Sequence, residues 1–147
     1  MEKHNYFIGV LIIVLFALTV AFVKKQTEPW NPNQLMEPKE LAAVINDPHA
    51  IKPLIISVGP AGLIKGSIEA GPANEGLSHL KKILSGEIRE RRIVIYCGCC
   101  PFKDCPNIRP AFSLLKDMKF TNHKLLNVTK NLRVDWIDRG YPMTDTK

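Results

Sequence analysis

The chain opens with one long apolar segment and continues as short apolar runs separated by polar turns. Residues 6–23 are 18 consecutive residues without a charged side chain. An α-helix of that length is about 27 Å long, close to the thickness of the hydrocarbon core of a bilayer. The pattern therefore predicts one N-terminal transmembrane helix within residues 1–25. A cleaved signal peptide is the alternative, because the segment lies near the N-terminus.

The charges around this segment are too evenly placed for the positive-inside rule to set its orientation. Lys3 precedes the apolar residues, whereas Lys24 and Lys25 follow them. Short N-terminal anchors followed by a lone domain usually place that domain outside the cytoplasm. We therefore expect a single-pass membrane protein with an extracytoplasmic domain.

Residues 26–37 form a proline-containing segment between the apolar helix and the rest of the chain. Pro29 and Pro32 alternate there with polar residues, which is typical of an extended linker or of a strap lying over a domain surface. Trp30 is the side chain expected to fix such a strap by packing. The remaining residues, 38–147, are enough for one compact domain and too few for two.

Within this domain, short apolar runs predict strands and wider apolar spacings predict helices. Continuous apolar runs predict strands at 54–58 and 92–96, and a third strand is predicted at 124–128. Apolar residues at helical spacing predict a first helix that begins at Pro38 and ends before Asp47. Further helical patterns lie at 77–86, 107–118 and 132–137. This alternation predicts an α/β fold with a mainly parallel central sheet flanked by helices.

The net charge of +6 does not indicate a nucleic-acid partner. Basic residues are dispersed along the chain, apart from a run at residues 89–92. That run is typical of the solvated approach to a strand, and a stripe of the kind that tracks phosphates is not present in the sequence. We expect no nucleic-acid binding.

All four cysteines lie within nine residues, between a predicted strand and a predicted helix. They are Cys97, Cys99, Cys100 and Cys105. Cysteines gathered in one loop indicate sulfur or metal chemistry at a single site. The start of a helix also favours a thiolate, because its free backbone amides and its dipole attract negative charge.

The start of the helix after this loop follows from two residues. Pro110 is compatible only with the first turn of a helix, because an interior proline loses a hydrogen bond and clashes with the preceding turn. Asn107 is then the predicted N-cap, which leaves Cys105 in the loop.

These elements together resemble a rhodanese-like domain over residues 38–143. The resemblance rests on a predicted strand that ends in Tyr96-Cys97 and on a later Trp136-x-x-x-Gly140-Tyr141-Pro142 sequence. The runs 54–58 and 64–68 are similar to the upstream part of the family. The resemblance implies a sulfurtransferase in which Cys97 accepts a sulfane sulfur from a small anionic donor. A thiol or a protein acceptor would then take the sulfur.

The chain departs from the family pattern around the implied site. Its cysteine loop is longer, and the nearest basic side chains that could bind an anionic donor are Lys103 and Arg109. Ser57 stands where the family has an aspartate, and Gly59 stands where it has an arginine. Residues 131–132 replace a Gly-Gly pair.

The cysteines other than Cys97 have three readings that the sequence leaves open. Cys99, Cys100 or Cys105 could act as a resolving thiol toward Cys97. Cys100 and Cys105 could form a structural disulfide in an oxidising compartment. All four could bind a soft metal, although the spacing is poor for tetrahedral zinc. We assign no metal ligand and no cofactor, and the four histidines have no spacing that pairs them with the cysteines.

The sequence thus supports a sulfurtransferase first. A thiol redox or soft-metal-binding protein, or a non-catalytic rhodanese-like binding module, are the alternatives.

Overall fold

Five parallel strands form the centre of the structure, a computed structural model that describes residues 27–144. The apolar segment at 6–23 lies outside the described residues. Within 27–144, none of the helices combines the length and the apolar character needed to cross a bilayer. The prediction of an α/β fold with a parallel sheet flanked by helices is confirmed.

The five strands are β1 Leu35–Met36, β2 Leu54–Ser57, β3 Ser67–Glu69, β4 Ile93–Tyr96 and β5 His123–Leu126. Their spatial order is β1-β5-β4-β2-β3, so that β4 lies in the middle of the sheet. All four strand pairs are parallel.

Three α-helices accompany the sheet. They are α1 Pro38–Asn46, α2 Ser78–Ser85 and α3 Ile108–Asp117. A short 3₁₀ turn, Pro32–Gln34, precedes β1, and a π-helical turn, Arg133–Ile137, follows β5. The predicted helices and strands agree with these bounds to within a few residues, but β1 and β3 were not predicted.

Both faces of the sheet are covered, and alternate residues of β4 supply the two cores. Ile93, Ile95 and Cys97 belong to the core that contains the apolar side chains of α2 and α3. Val94 and Tyr96 belong to the opposite core, with Leu41 of α1 and Trp136. A strand buried on both faces is a continuous apolar run in the sequence, as predicted for 92–96.

The segment before α1 is attached to the sheet and does not serve only as a connection. Leu35 and Met36 pair with Leu125 and Leu126, and so add the edge strand β1 to β5. The sequence does not predict this strand because two residues carry no measurable alternation of apolar and polar positions.

Trp30 fixes the beginning of this segment to the domain. Its side chain is 9% exposed and packs against the rings of Phe102 and Phe112, at centroid distances of 5.7 and 5.8 Å. The Arg109 guanidinium lies over the indole and donates two hydrogen bonds of 2.8 Å to the Glu28 carboxylate. The strap is therefore part of the core that supports the cysteine loop.

We expect Trp30→Ala to lower the free energy of unfolding by about 3 kcal/mol, because it removes a buried indole from between two aromatic rings. Denaturant-induced unfolding followed by circular dichroism measures this change. Ile88→Ala is the matched control: its side chain is 69% exposed, and its change should stay within about 0.5 kcal/mol. Equal effects of the two substitutions would contradict a docked strap.

Candidate functional site

The candidate site lies at the carboxyl edge of the sheet, directly after its central strand. Cys97 follows Tyr96, the last residue of β4. The loop after β2 lies beside it, because Val58 donates its backbone N–H to the Tyr96 carbonyl at 2.9 Å. Ligand sites in parallel sheets usually form at this edge, where loops from neighbouring strands meet.

The sulfur atoms of the loop form a connected group around Cys97. The Cys97 and Cys99 Sγ atoms are 3.3 Å apart, and the Cys99 and Cys100 Sγ atoms are also 3.3 Å apart. The Sγ atoms of Cys97, Cys99 and Cys105 all lie within 4.8 Å of one another. All four cysteines are free thiols in this structure.

Hydrogen-bond donors converge on the Cys97 sulfur and hold its pKa at about 5, well below that of an ordinary thiol. The Cys105 thiol contributes most to this lowering of the pKa, and burial opposes it. The backbone N–H and the thiol of Cys99 and the side-chain amide of Asn107 also donate to the sulfur. Donors that stabilise the charged form lower a thiol pKa, so Cys97 is a thiolate at neutral pH.

The thiols that donate to Cys97 keep their own protons. Partial desolvation of its thiol, followed by the hydrogen bond to Cys97, raises the pKa of Cys99 to about 12, although the residue as a whole is exposed. The hydrogen bond to Cys97 is also the main reason that the pKa of Cys105 is raised. The loop therefore concentrates its negative charge on one sulfur, and the neighbouring sulfurs remain neutral donors.

Asn107 is a site residue that sequence reasoning assigned a different role. It occupies the N-cap position of α3, but its side chain makes no capping hydrogen bond. Instead, its amide N–H₂ donates to the Cys97 sulfur at 3.6 Å, and its carbonyl oxygen accepts the Asn74 backbone N–H at 3.0 Å. The asparagine is buried, and its fixed orientation aims a donor at the sulfur.

Two glycines allow the loops to approach this closely. A Cβ atom at Gly59 would lie 2.2 Å from the Cys97 sulfur, which is an impossible contact. A Cβ atom at Gly98 would lie 2.5 Å from the Leu132 side chain and 2.6 Å from Ala61. Gly59 stands where the resemblance places an arginine, and in this chain the sulfur fills the space beside it.

Backbone hydrogen bonds attach the cysteine loop at two points, Gly98 and Phe102, to the segment after β5. Leu132 donates its N–H to the Gly98 carbonyl at 2.9 Å, and Phe102 donates to the Val128 carbonyl at 2.9 Å. Leu132 leads directly into the π-helical turn, whose Trp136 is fully buried. The positions of the sulfurs are thus set by the core and do not depend on the loop alone.

The cysteines differ sharply in their access to solvent. Cys97 is 1% exposed and Cys105 is 2% exposed. Cys99 is exposed, and Cys100 is half-buried. Cys97, whose thiol has the lowered pKa, is therefore nearly inaccessible, whereas Cys99, whose sulfur lies 3.3 Å away, is an exposed residue.

The two basic residues predicted to bind a donor anion have different surroundings. Arg109 is occupied by Glu28, by the Lys103 carbonyl at 3.2 Å and by the face of Trp30. The Lys103 ammonium lies 5.8 Å from the centroid of the Phe102 ring. Lys103 also lines a cleft of about 300 Å³, together with Pro101, Phe102, Asp104 and Thr129.

The three sulfurs of Cys97, Cys99 and Cys105 are also spaced so that they could share one soft metal ion. Within residues 27–144, no histidine or carboxylate joins this group as a further ligand. A structural zinc site usually has four protein ligands, so the described arrangement does not complete one.

We expect the thiolate absorbance of Cys97, measured as the difference between the wild type and Cys97→Ser, to disappear below pH 5 and to be complete at pH 7. The reason is a pKa near 5, with the charged form favoured above it. Asn107→Asp replaces a donor with a negative charge and should raise this pKa by about 1 unit.

Asn122→Asp is the matched control for this titration, because Asn122 is exposed and precedes β5 at the opposite edge of the sheet. It should leave the titration midpoint unchanged. A wild-type midpoint near 8.5, the ordinary value for cysteine, would contradict the donor arrangement.

Comparisons with known proteins do not assign the chain to a family. It matches no protein-family model, and no curated protein is significantly similar to it. The parallel α/β sheet and the cysteine cluster after its central strand are compatible with a rhodanese-like fold.

Proposed function

We propose that this protein is a rhodanese-like sulfurtransferase that carries sulfane sulfur as a persulfide on Cys97. The observation that supports this most directly is the convergence of a thiol and a carboxamide on one sulfur. The Cys99 Sγ lies 3.3 Å and the Asn107 Nδ2 lies 3.6 Å from the Cys97 Sγ, where both stabilise negative charge. Donors at this position would also stabilise the charge of a persulfide, whose outer sulfur lies one S–S bond, about 2 Å, from Cys97.

The proposed reaction has two displacement steps on sulfur. The Cys97 thiolate attacks the sulfane sulfur of a donor such as thiosulfate and forms a new S–S bond. The S–S bond of the donor breaks, and sulfite leaves with the bonding electron pair. An acceptor thiolate then attacks the outer sulfur of the persulfide, and Cys97 leaves as the thiolate.

A low pKa suits Cys97 for both steps. It keeps the sulfur ionised for the attack on the donor, and it makes the sulfur a good leaving group when the acceptor attacks. Neither step requires a metal or an organic cofactor.

We assign the attraction of the anionic donor to Lys103 in preference to Arg109. The Arg109 guanidinium already has a bidentate carboxylate partner in Glu28. Lys103 lies in the cysteine loop and lines the adjacent cleft, where its ammonium can meet an anion from solvent. A single exposed cation contributes little binding free energy. The proposed role of Lys103 is therefore to raise the concentration of the anionic donor near the loop.

The test is the intact mass of the purified 147-residue chain after incubation with thiosulfate or polysulfide. We expect the chain to gain one sulfur atom, about 32 Da, which reductant or cyanide removes. Cys97→Ser should abolish the gain, whereas Cys100→Ser should retain it. Lys103→Ala should raise the donor concentration needed for half-loading and leave the final mass unchanged. A wild-type chain that takes up no sulfur would overturn the proposal.

A second candidate function is dithiol–disulfide exchange by Cys97 and Cys99, with the same low-pKa sulfur as the attacking group. The 3.3 Å separation of their sulfurs favours it, because a disulfide needs only a small further approach. In this reaction Cys97 attacks a small disulfide oxidant, forms a mixed disulfide with one half of it and releases the other half as a thiol. Cys99 then attacks the Cys97 sulfur, forms the Cys97–Cys99 disulfide and displaces the second thiol. The two electrons of the dithiol pass to the oxidant.

For this second function we expect mild oxidation by a small disulfide, cystamine, to remove one thiol pair, which peptide mapping would locate at Cys97 and Cys99. Cys99→Ser should instead stop at a mixed disulfide with cysteamine on Cys97. Formation of a Cys100–Cys105 disulfide first would contradict this assignment.

A further inference from the structure

The buried position of Cys97 limits which acceptors can take the sulfur from the proposed persulfide. The sulfur that would carry the persulfide is 1% exposed, and so a protein or a bulky thiol cannot approach it in line. The Cys99 sulfur lies 3.3 Å away, and Cys99 is an exposed residue. The buried sulfur thus has one neighbour that reaches both it and the surface.

We propose that Cys99 is a relay thiol, which accepts the sulfane sulfur from Cys97 and passes it on to a large acceptor. That acceptor is the thiol of another protein. This inference rests on the proposed sulfurtransferase function and concerns its second step. It also assigns separate tasks to two cysteines of the loop, with Cys97 for capture and Cys99 for delivery.

The relay step is a displacement on the outer sulfur of the Cys97 persulfide. The Cys99 sulfur forms a bond to the outer sulfur, and the bond between that sulfur and Cys97 breaks with its electrons on Cys97. The proton of the Cys99 thiol moves to the transferred sulfur or to solvent. No net oxidation occurs, and so the step needs no oxidant or reductant.

Two features favour attack on the outer sulfur over attack on Cys97 itself. The Cys97 thiolate is stabilised by Cys105 and Asn107, and a better stabilised thiolate is a better leaving group. Attack on the inner sulfur would instead expel hydrosulfide and leave a Cys97–Cys99 disulfide. Once Cys97 leaves as a thiolate, Cys105 and Asn107 again stabilise its charge as they do in the structure.

Positioning explains why Cys99 would outcompete a free acceptor for the buried sulfur. Its Sγ already lies 3.3 Å from the Cys97 sulfur. The loop is held at Gly98 by Leu132, so this geometry is fixed before the reaction. A nucleophile held in place gains a large effective concentration over one that must diffuse in.

The experiment loads the purified 147-residue chain with thiosulfate, removes the donor and then offers two acceptors. The bulky acceptor is reduced thioredoxin, and the small acceptor is cyanide. Loss of the sulfur from the chain is followed by intact mass. Cys99→Ser is the test variant, and Cys100→Ser is the matched control because it removes a neighbouring thiol of the same loop.

We expect Cys99→Ser to take up one sulfur at Cys97, to lose it to cyanide at nearly the wild-type rate and to deliver it to thioredoxin about 100-fold more slowly. Cys100→Ser should match the wild type with both acceptors. Alkylation of the loaded wild type should trap part of the sulfur on Cys99, and the cyanide reaction shows that the variant is folded and loaded.

Three outcomes would overturn the relay and are distinguishable from one another. Wild-type delivery by Cys99→Ser would show that acceptors reach Cys97 directly. Release of hydrosulfide with formation of a Cys97–Cys99 disulfide would show attack on the inner sulfur. A wild-type chain that takes up no sulfur would remove the proposed function itself, and the relay with it.

Discussion

The structure depends on one constraint at its centre: a negative charge must be stabilised on a sulfur that is nearly sealed from water. Burial alone would raise the pKa of Cys97, yet the donors around it lower that pKa to about 5. The gain from hydrogen bonds therefore exceeds the desolvation of the thiolate. Any rearrangement that removes these donors would leave an uncompensated charge, or return the proton to the sulfur.

Residues outside the cysteine loop hold the sulfur atoms in their positions. Gly59 and Gly98 bring two loops closer than any other residue would permit. Backbone hydrogen bonds tie the cysteine loop to the segment after β5, and Trp30 packs under it through Phe102. The proline-containing strap and the segment that leads into the π-helical turn thus both support the loop in which three sulfurs lie within 4.8 Å of one another.

The proposed chemistry depends on the different surroundings of Cys97 and Cys99. A buried, stabilised sulfur is protected from unwanted oxidants, but it is also hidden from large partners. The neighbouring Cys99 has the opposite properties, since the pKa of its thiol is raised and the residue is exposed. The pair can separate capture from delivery, which a single cysteine at the end of a strand cannot do.

The sequence by itself determined the layered α/β architecture, because apolar runs and helical spacings are local patterns that burial imposes on each element. It also determined that the cysteines share one site, since they occupy a single loop after a buried strand. Only the tertiary structure decided the role of Asn107, the contact of Gly59 with the sulfur and the addition of β1 to the sheet. These features join residues distant in sequence, and a pKa depends on the positions of such groups in space, which no local pattern encodes.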